Sequence, residues 1–174
     1  MKFLKSIAAM LIISALSTVG ATAQSTSPDI TVTKHVDQSA DAVWAQLRSL
    51  DNIDELSSFV AKVDYKGNKG VGGERVCTAP DGQGQFRESI TKFSDAERSY
   101  SYAVVEGVPA KNMVNSFKVV DLGYNKSLVV WTSNYTFMEN PNMTLDQFKG
   151  FLTGASTEMI DNAVKFAAKS SHSH

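Results

Sequence analysis

The stretch from Thr144 to Lys169 constrains this chain more than any other, because its periodicity and its start both specify one helix. At about 100° per residue, Leu145, Phe148, Phe151, Leu152, Ala155, Met159, Ala163 and Phe166 fall in one apolar arc of roughly 120°. Thr144 is a good N-cap, Gln147 stands where a capping box needs its reciprocal side chain, and Met143 is placed to staple onto Phe148. Gly150 and Gly154 fall on the polar face, where they lower helix propensity without helping packing. Asn162 alone interrupts the arc with a polar group, and a buried amide needs a partner.

An apolar face of that length needs a second layer, and the rest of the chain supplies a sheet. Ile30 to Val36 alternates as a half-buried strand, with Ile30, Val32 and Val36 on one side and Thr31, Thr33 and His35 on the other. Ser39 caps a short helix from Ala40 to Leu50, and Asn52 with Glu55 starts a second that ends near Phe59. From Val60 onward, strands of about six to twelve residues are separated by Gly, Pro, Asn and Asp clusters. The turns fall near 67–73, 80–84, 94–97, 107–111 and 123–126. The expectation is an α+β fold: a curved antiparallel sheet of about seven strands wrapped around the long C-terminal helix. Two short helices follow the first strand.

The hairpin around Pro80-Asp81-Gly82-Gln83 sets a register in which Cys77 opposes Phe86 and Arg75 opposes Glu88. Alternation then turns Arg75 and Glu88 inward together, as a structural clamp or as a polar contact for a ligand. Tyr100, Tyr102 and Val104 share the inner face, as do Asn115, Phe117 and Val119, and Val129, Trp131, Ser133, Tyr135 and Phe137. Such a wall, aromatic with polar tips, serves either as core or as the lining of an apolar pocket.

Familiar catalytic groupings are missing. His35 alternates with threonines and faces solvent, Cys77 has no histidine beside it, and no phosphate-cradling loop or spaced metal ligands occur. No cofactor or metal is expected; His172 and His174 read as part of a frayed tail.

Lys2 and Lys5 precede an apolar run from Ile7 to Val19, and Ala21-Thr22-Ala23 supplies a signal-peptidase pattern, so cleavage is expected before Gln24. The run is shorter than the about 20 residues that span a bilayer, so no stable membrane anchor is expected. This divides the chain into a signal peptide (1–23), a linker (24–29), one domain (30–169) and a disordered tail (170–174). Removing residues 1–23 from the 174 leaves 151, enough for one domain with a sizeable core. That mature chain carries 15 basic and 18 acidic residues, and its formal charge of about −3 argues against nucleic acid as a partner. A single cysteine in an exported domain means the core, not disulfides, holds it, which suits a bacterial periplasm.

The runs Gly72-Gly73-Glu74-Arg75 and Ser99-Tyr100-Ser101-Tyr102, with Gly82, Glu88 and Asp95, are joined by Val108-Pro109-Ala110-Lys111-Asn112 and Val130-Trp131. Together with Ala40-Asp41-Ala42-Val43-Trp44 upstream, this order resembles the polyketide cyclase/dehydrase branch of the START-like (SRPBCC) superfamily over about residues 30–168. The resemblance implies the helix-grip fold and a cavity for a lipid, polyketide or other hydrophobic molecule between sheet and C-terminal helix. Where many relatives carry Trp-Xaa-Pro after the first helices, Leu56-Ser57-Ser58-Phe59 stands here, which implies a different cavity mouth.

The leading expectation is therefore an exported binding protein for a small hydrophobic ligand. Arg75, Glu88, Tyr100, Tyr102, Trp131, Tyr135 and Asn162 are candidate orienting groups, with Phe117 and Met159 as apolar walls. The alternatives are a cyclase or dehydratase using Arg75 and Glu88, and an accessory protein that contacts a periplasmic oxidoreductase.

Overall fold

Turn residues divide residues 27–171, the part of the chain described by this computed structural model, into seven strands and three helices. In chain order these are β1 (Ile30–Val36), α1 (Ala40–Leu47), α2 (Ile53–Leu56), β2 (Lys62–Lys66), β3 (Glu74–Thr78) and β4 (Gln85–Ser94). They continue with β5 (Ser99–Glu106), β6 (Ala110–Gly123), β7 (Lys126–Phe137) and α3 (Leu145–Ser171). The expected signal peptide, the first part of the linker and the tail histidines lie outside the described residues.

The strands form one antiparallel sheet in the order β1-β7-β6-β5-β4-β3-β2. The first strand thus joins the last, while α1 and α2 carry the chain to the opposite edge. Tyr124 and Asn125, with φ of 51° and 59°, make the two-residue turn between β6 and β7, as a primed hairpin turn requires. Register shifts bend the sheet at several points: between Arg87 and Glu88 and between Ile90 and Lys92 on β4, and between Lys111 and Val114 on β6. Curvature that alternation alone could not specify comes from these bulges.

Both short helices end earlier than their sequences suggest. Ser39 caps α1, its Oγ accepting from Ala42 N at 3.2 Å, but the helix stops at Leu47 and Leu50 turns the chain at φ 65°. Asn52 does not cap α2 with its side chain; its Nδ2 donates instead to the Gln46 carbonyl at 2.9 Å. Ser57 is extended, at φ −137° and ψ 126°, so α2 is a single turn that ends at Leu56 rather than near Phe59.

At the start of α3 the capping box forms, with Gln147 N donating to Thr144 Oγ1 at 3.2 Å and Thr144 N to Gln147 Oε1 at 2.8 Å. The helix runs to Ser171, past the expected end at Lys169, so the segment beginning at Ser170 is not wholly tail. Its buried face is rotated from the expected arc: Ser156, Ile160 and Ala167 are buried, whereas Leu145 and Phe151 are exposed by 39% and 37%. The chain's helix-grip architecture, sheet around helix, positions everything that follows.

The interior is solid at one end and hollow at the other. Ile160, Ala163 and Ala167 of α3 pack with Val43, Trp44 and Leu47 of α1 in the core. There Trp44 meets Phe93 and Tyr100 at centroid separations of 5.7 and 6.2 Å, and Tyr100 meets Phe117 at 5.5 Å. The first half of α3 instead roofs an open space.

Candidate functional site

That space is a cavity of about 340 Å³ between the sheet and the first half of α3, at the lower end of the ~300–1,000 Å³ common for small-molecule sites. Phe148, Leu152, Ala155, Ser156 and Met159 form its roof. Tyr102, Met113, Asn115 and Trp131 make its floor. Its rim combines the β3–β4 hairpin at Pro80 and Gln85, the β5–β6 loop at Gly107 to Pro109, and Phe59, three residues past the end of α2. Gly107 is required there: its φ is +90°, and a Cβ would run into the Gln85 carbonyl and lie 2.7 Å from Phe86 Cα.

Arg75 and Glu88 face each other across β3 and β4, as the hairpin register requires, and both line the cavity. They are 1% and 4% exposed. Arg75 Nε pairs with Glu88 Oε2, Nη1 donates to the Leu50 carbonyl at 2.8 Å, and the guanidinium lies 4.8 Å above the Tyr102 ring. Burial by itself lowers the Arg75 pKa, but the pull of Glu88 leaves it raised, so the guanidinium stays charged. The surrounding groups stay neutral: burial pushes the Tyr100 hydroxyl and the Cys77 thiol up to about 12, and raises Tyr102 as well. A thiol held protonated in this way is a small hydrophobe rather than a nucleophile.

Of the nine candidate site residues, Arg75, Glu88, Tyr102, Trp131 and Met159 line the cavity. Tyr100 and Phe117 do not; both sit in the aromatic cluster at the solid end, one step along their strands from the floor. Tyr135 is half-buried and edge-on to Phe148 at 5.2 Å, outside the lining. Asn162 is likewise no lining residue: its Nδ2 donates to the Leu56 carbonyl at 2.9 Å and ties α3 to the end of α2. Face alternation could tell which residues point inward but not how far along each strand the cavity extends.

Asn115 and Ser156 are lining residues that the pattern did not single out as site groups. Asn115 is 3% exposed, and its Oδ1 has no hydrogen-bond partner among the described residues. Its place beside Phe117 on an inward face was legible; its vacancy was not. Trp131 Nε1 donates to Tyr102 Oη at 3.4 Å, so those two floor residues are bonded to each other. His35 is exposed, and among the described residues no group of acidic, histidine or cysteine side chains is arranged to hold a metal ion. Nor is any described helix long and apolar enough to cross a membrane.

No curated protein matches the chain. Among solved structures it is similar to XoxI from Bacillus cereus, with 19% identity and a TM-score of 0.68, covering 78% of this chain and 92% of that one. Norcoclaurine synthase from Thalictrum flavum in complex with dopamine and hydroxybenzaldehyde gives 20% identity and a TM-score of 0.65, with 80% and 86% coverage. The Zhui aromatase/cyclase from a Streptomyces species gives 16% identity and 0.66, with 80% and 93% coverage. At these identities the structures share the fold. Sequence carries the assignment further, since residues 27–167 match a single family: the chain belongs to the polyketide cyclase / dehydrase and lipid transport family.

Proposed function

We propose that this protein is an exported carrier that holds a small hydrophobic molecule in the cavity under α3. The observation that carries the reading is a cavity whose wall is mostly apolar and whose charged groups, Arg75 and Glu88, meet at one buried point. Such a site can both desolvate a ligand and orient it. The family description and a neighbour in complex with dopamine and hydroxybenzaldehyde support a role of this kind. Export rests on the basic, apolar and small-residue regions of residues 1–23.

The test is native mass spectrometry of the protein taken from its host, followed by extraction of whatever accompanies it. A co-purifying hydrophobic molecule, lost in Ala155→Trp where an indole fills the roof, supports the carrier. Protein that is empty from every preparation and fails to bind neutral aromatic probes would remove it. The mass of the same sample tests export, since the mature chain should begin at Gln24.

A cyclase-like enzyme is the second reading, favoured by one observation: the same ion pair is reachable from the cavity. Glu88→Gln separates the two, because a carrier keeps a ligand while an enzyme loses turnover. An accessory role toward a periplasmic enzyme would instead return a protein partner on pull-down.

A further inference from the structure

The cavity has a direction. Its exposed lining residues, among them Phe59, Pro80, Gln85, Gly107 and Phe151, all lie at the end of the sheet where β3 meets β4 and β5 meets β6. Arg75 and Glu88 lie at the inner end, Glu88 three residues into β4 from Gln85, or about 10 Å along the strand. Asn115 is at similar depth, paired in register with Tyr102. A ligand entering from the rim therefore passes mostly apolar surface before it reaches the charged pair.

Among the described residues, Arg75 and Glu88 are the only charged ones in the lining, and they neutralise each other. Arg75 uses Nε on Glu88 and Nη1 on Leu50 and also interacts with the Tyr100 hydroxyl, but its five N–H groups outnumber these partners, while Glu88 keeps Oε1 as an acceptor. The Asn115 amide adds a side chain whose Oδ1 lacks a partner. A hydroxyl or carbonyl group can use these atoms without bringing charge into the cavity. A carboxylate cannot: it must reach Arg75 beside Glu88, and its like charge would meet that carboxylate in a water-poor space. An ammonium group meets the same difficulty from Arg75.

We infer that the cavity selects an uncharged amphiphile, inserted polar end first and bonded through one hydroxyl or carbonyl to the Arg75–Glu88 pair, and that it rejects fatty-acid anions and alkylammonium ions. This rests on the carrier reading above and assigns its ligand class.

The experiment displaces aminoanthracene, a neutral fluorescent probe, from the wild-type protein at neutral pH with decanol, decanoate and decylammonium. Each result is corrected by that compound's partition into neutral detergent micelles. Decanol should compete roughly tenfold or more better than either ion after correction. In Glu88→Gln, which leaves the Arg75 charge unopposed, decanoate should gain about tenfold or more on decanol while decylammonium stays excluded. Should that variant fail to fold, the three-compound comparison on the wild type still decides. If decanoate or decylammonium matches decanol on the wild type, or folded Glu88→Gln leaves the decanoate ratio unmoved, the inference is overturned while the carrier reading stands. If neither aminoanthracene nor any of the three binds, both fall.

Discussion

Trp44 donates its indole N–H to Asp95 Oδ1 at 2.9 Å, pinning α1 to the turn between β4 and β5. Arg48 grips the same carboxylate through Nε at 2.7 Å and Nη2 at 2.8 Å. Trp44 and Asp95 both belong to the pattern by which the sequence resembles its family, yet neither lines the cavity. They hold the helix layer on the sheet.

Those bonds set a pH dependence. Arg48 and then Trp44 hold the Asp95 carboxyl down from 3.8 to about 2. A carboxyl whose folded pKa lies below its unfolded value stabilises the fold fully above the unfolded value, and the gain is lost as pH falls toward the folded one. Asp95→Asn should therefore be less stable than wild type by a constant amount above pH about 4, and the gap should close between 3.8 and about 2. Denaturant unfolding at stepped pH measures it. A gap that does not change with pH would mean the charge contributes nothing.

Asn162 is expected to act on stability alone. Asn162→Ala leaves the Leu56 carbonyl without its donor, and the loss should be about 1–2 kcal/mol. Probe affinity should stay at the wild-type level, because Asn162 does not touch the cavity. A variant of normal stability with weakened probe binding would return this residue to the site.

Gly150 and Gly154 are exposed, and a Cβ on either would meet no atom within 4 Å. Alanine at each position should raise stability by roughly 0.5–1 kcal/mol, because the helix gains propensity and loses no packing. Thermal unfolding of the single and double variants checks this. Destabilisation would show that α3 needs to bend at these points.

Phe59 and Phe151 meet edge to face at 5.0 Å, both line the cavity, and both are partly exposed, at 42% and 37%. They connect the segment after α2 to the roof. Phe151→Ala should speed probe release, and adding Phe59→Ala should do little more, since the contact is already broken. Stopped-flow displacement reads both; additive effects would separate the two rings.

The fold was legible because its signals are local and repeated: turn residues at each strand end, alternation between them, and the capping box at Thr144 with Gln147. Even the Arg75–Glu88 pairing followed from one hairpin loop. Depth was not legible. Tyr100 and Tyr102 share a face and a residue type, yet Tyr102 lines the cavity and Tyr100 does not. The curvature of the sheet depends on register shifts between β4 and β5, at Val105 and at Thr91, which leave no mark on the hydrophobic pattern. The helix misled for a related reason: α1 packs on its second half and the cavity on its first, so Ile160 and Ala167 are buried while Leu145 is left outside.

The ion pair joins these two regions, and its energetics separate a clamp from a liability kept for ligand. Glu88→Gln leaves a buried guanidinium uncompensated, which should destabilise the fold by about 3–5 kcal/mol. Replacing both partners, as Arg75→Met with Glu88→Leu, removes both charges from the interior and should be the milder change. What remains is the Leu50 carbonyl, which accepts from Arg75 at a residue with φ 65° and 0% exposure. Losing that donor should cost about 1–3 kcal/mol, so the double variant should fall between wild type and Glu88→Gln. Denaturant midpoints of the three proteins rank them. If the double variant is the least stable, the pair is principally a clamp between the sheet and the α1–α2 corner. If it is as stable as wild type, the charges add nothing to folding, and their presence in a mostly apolar cavity is explained by the ligand.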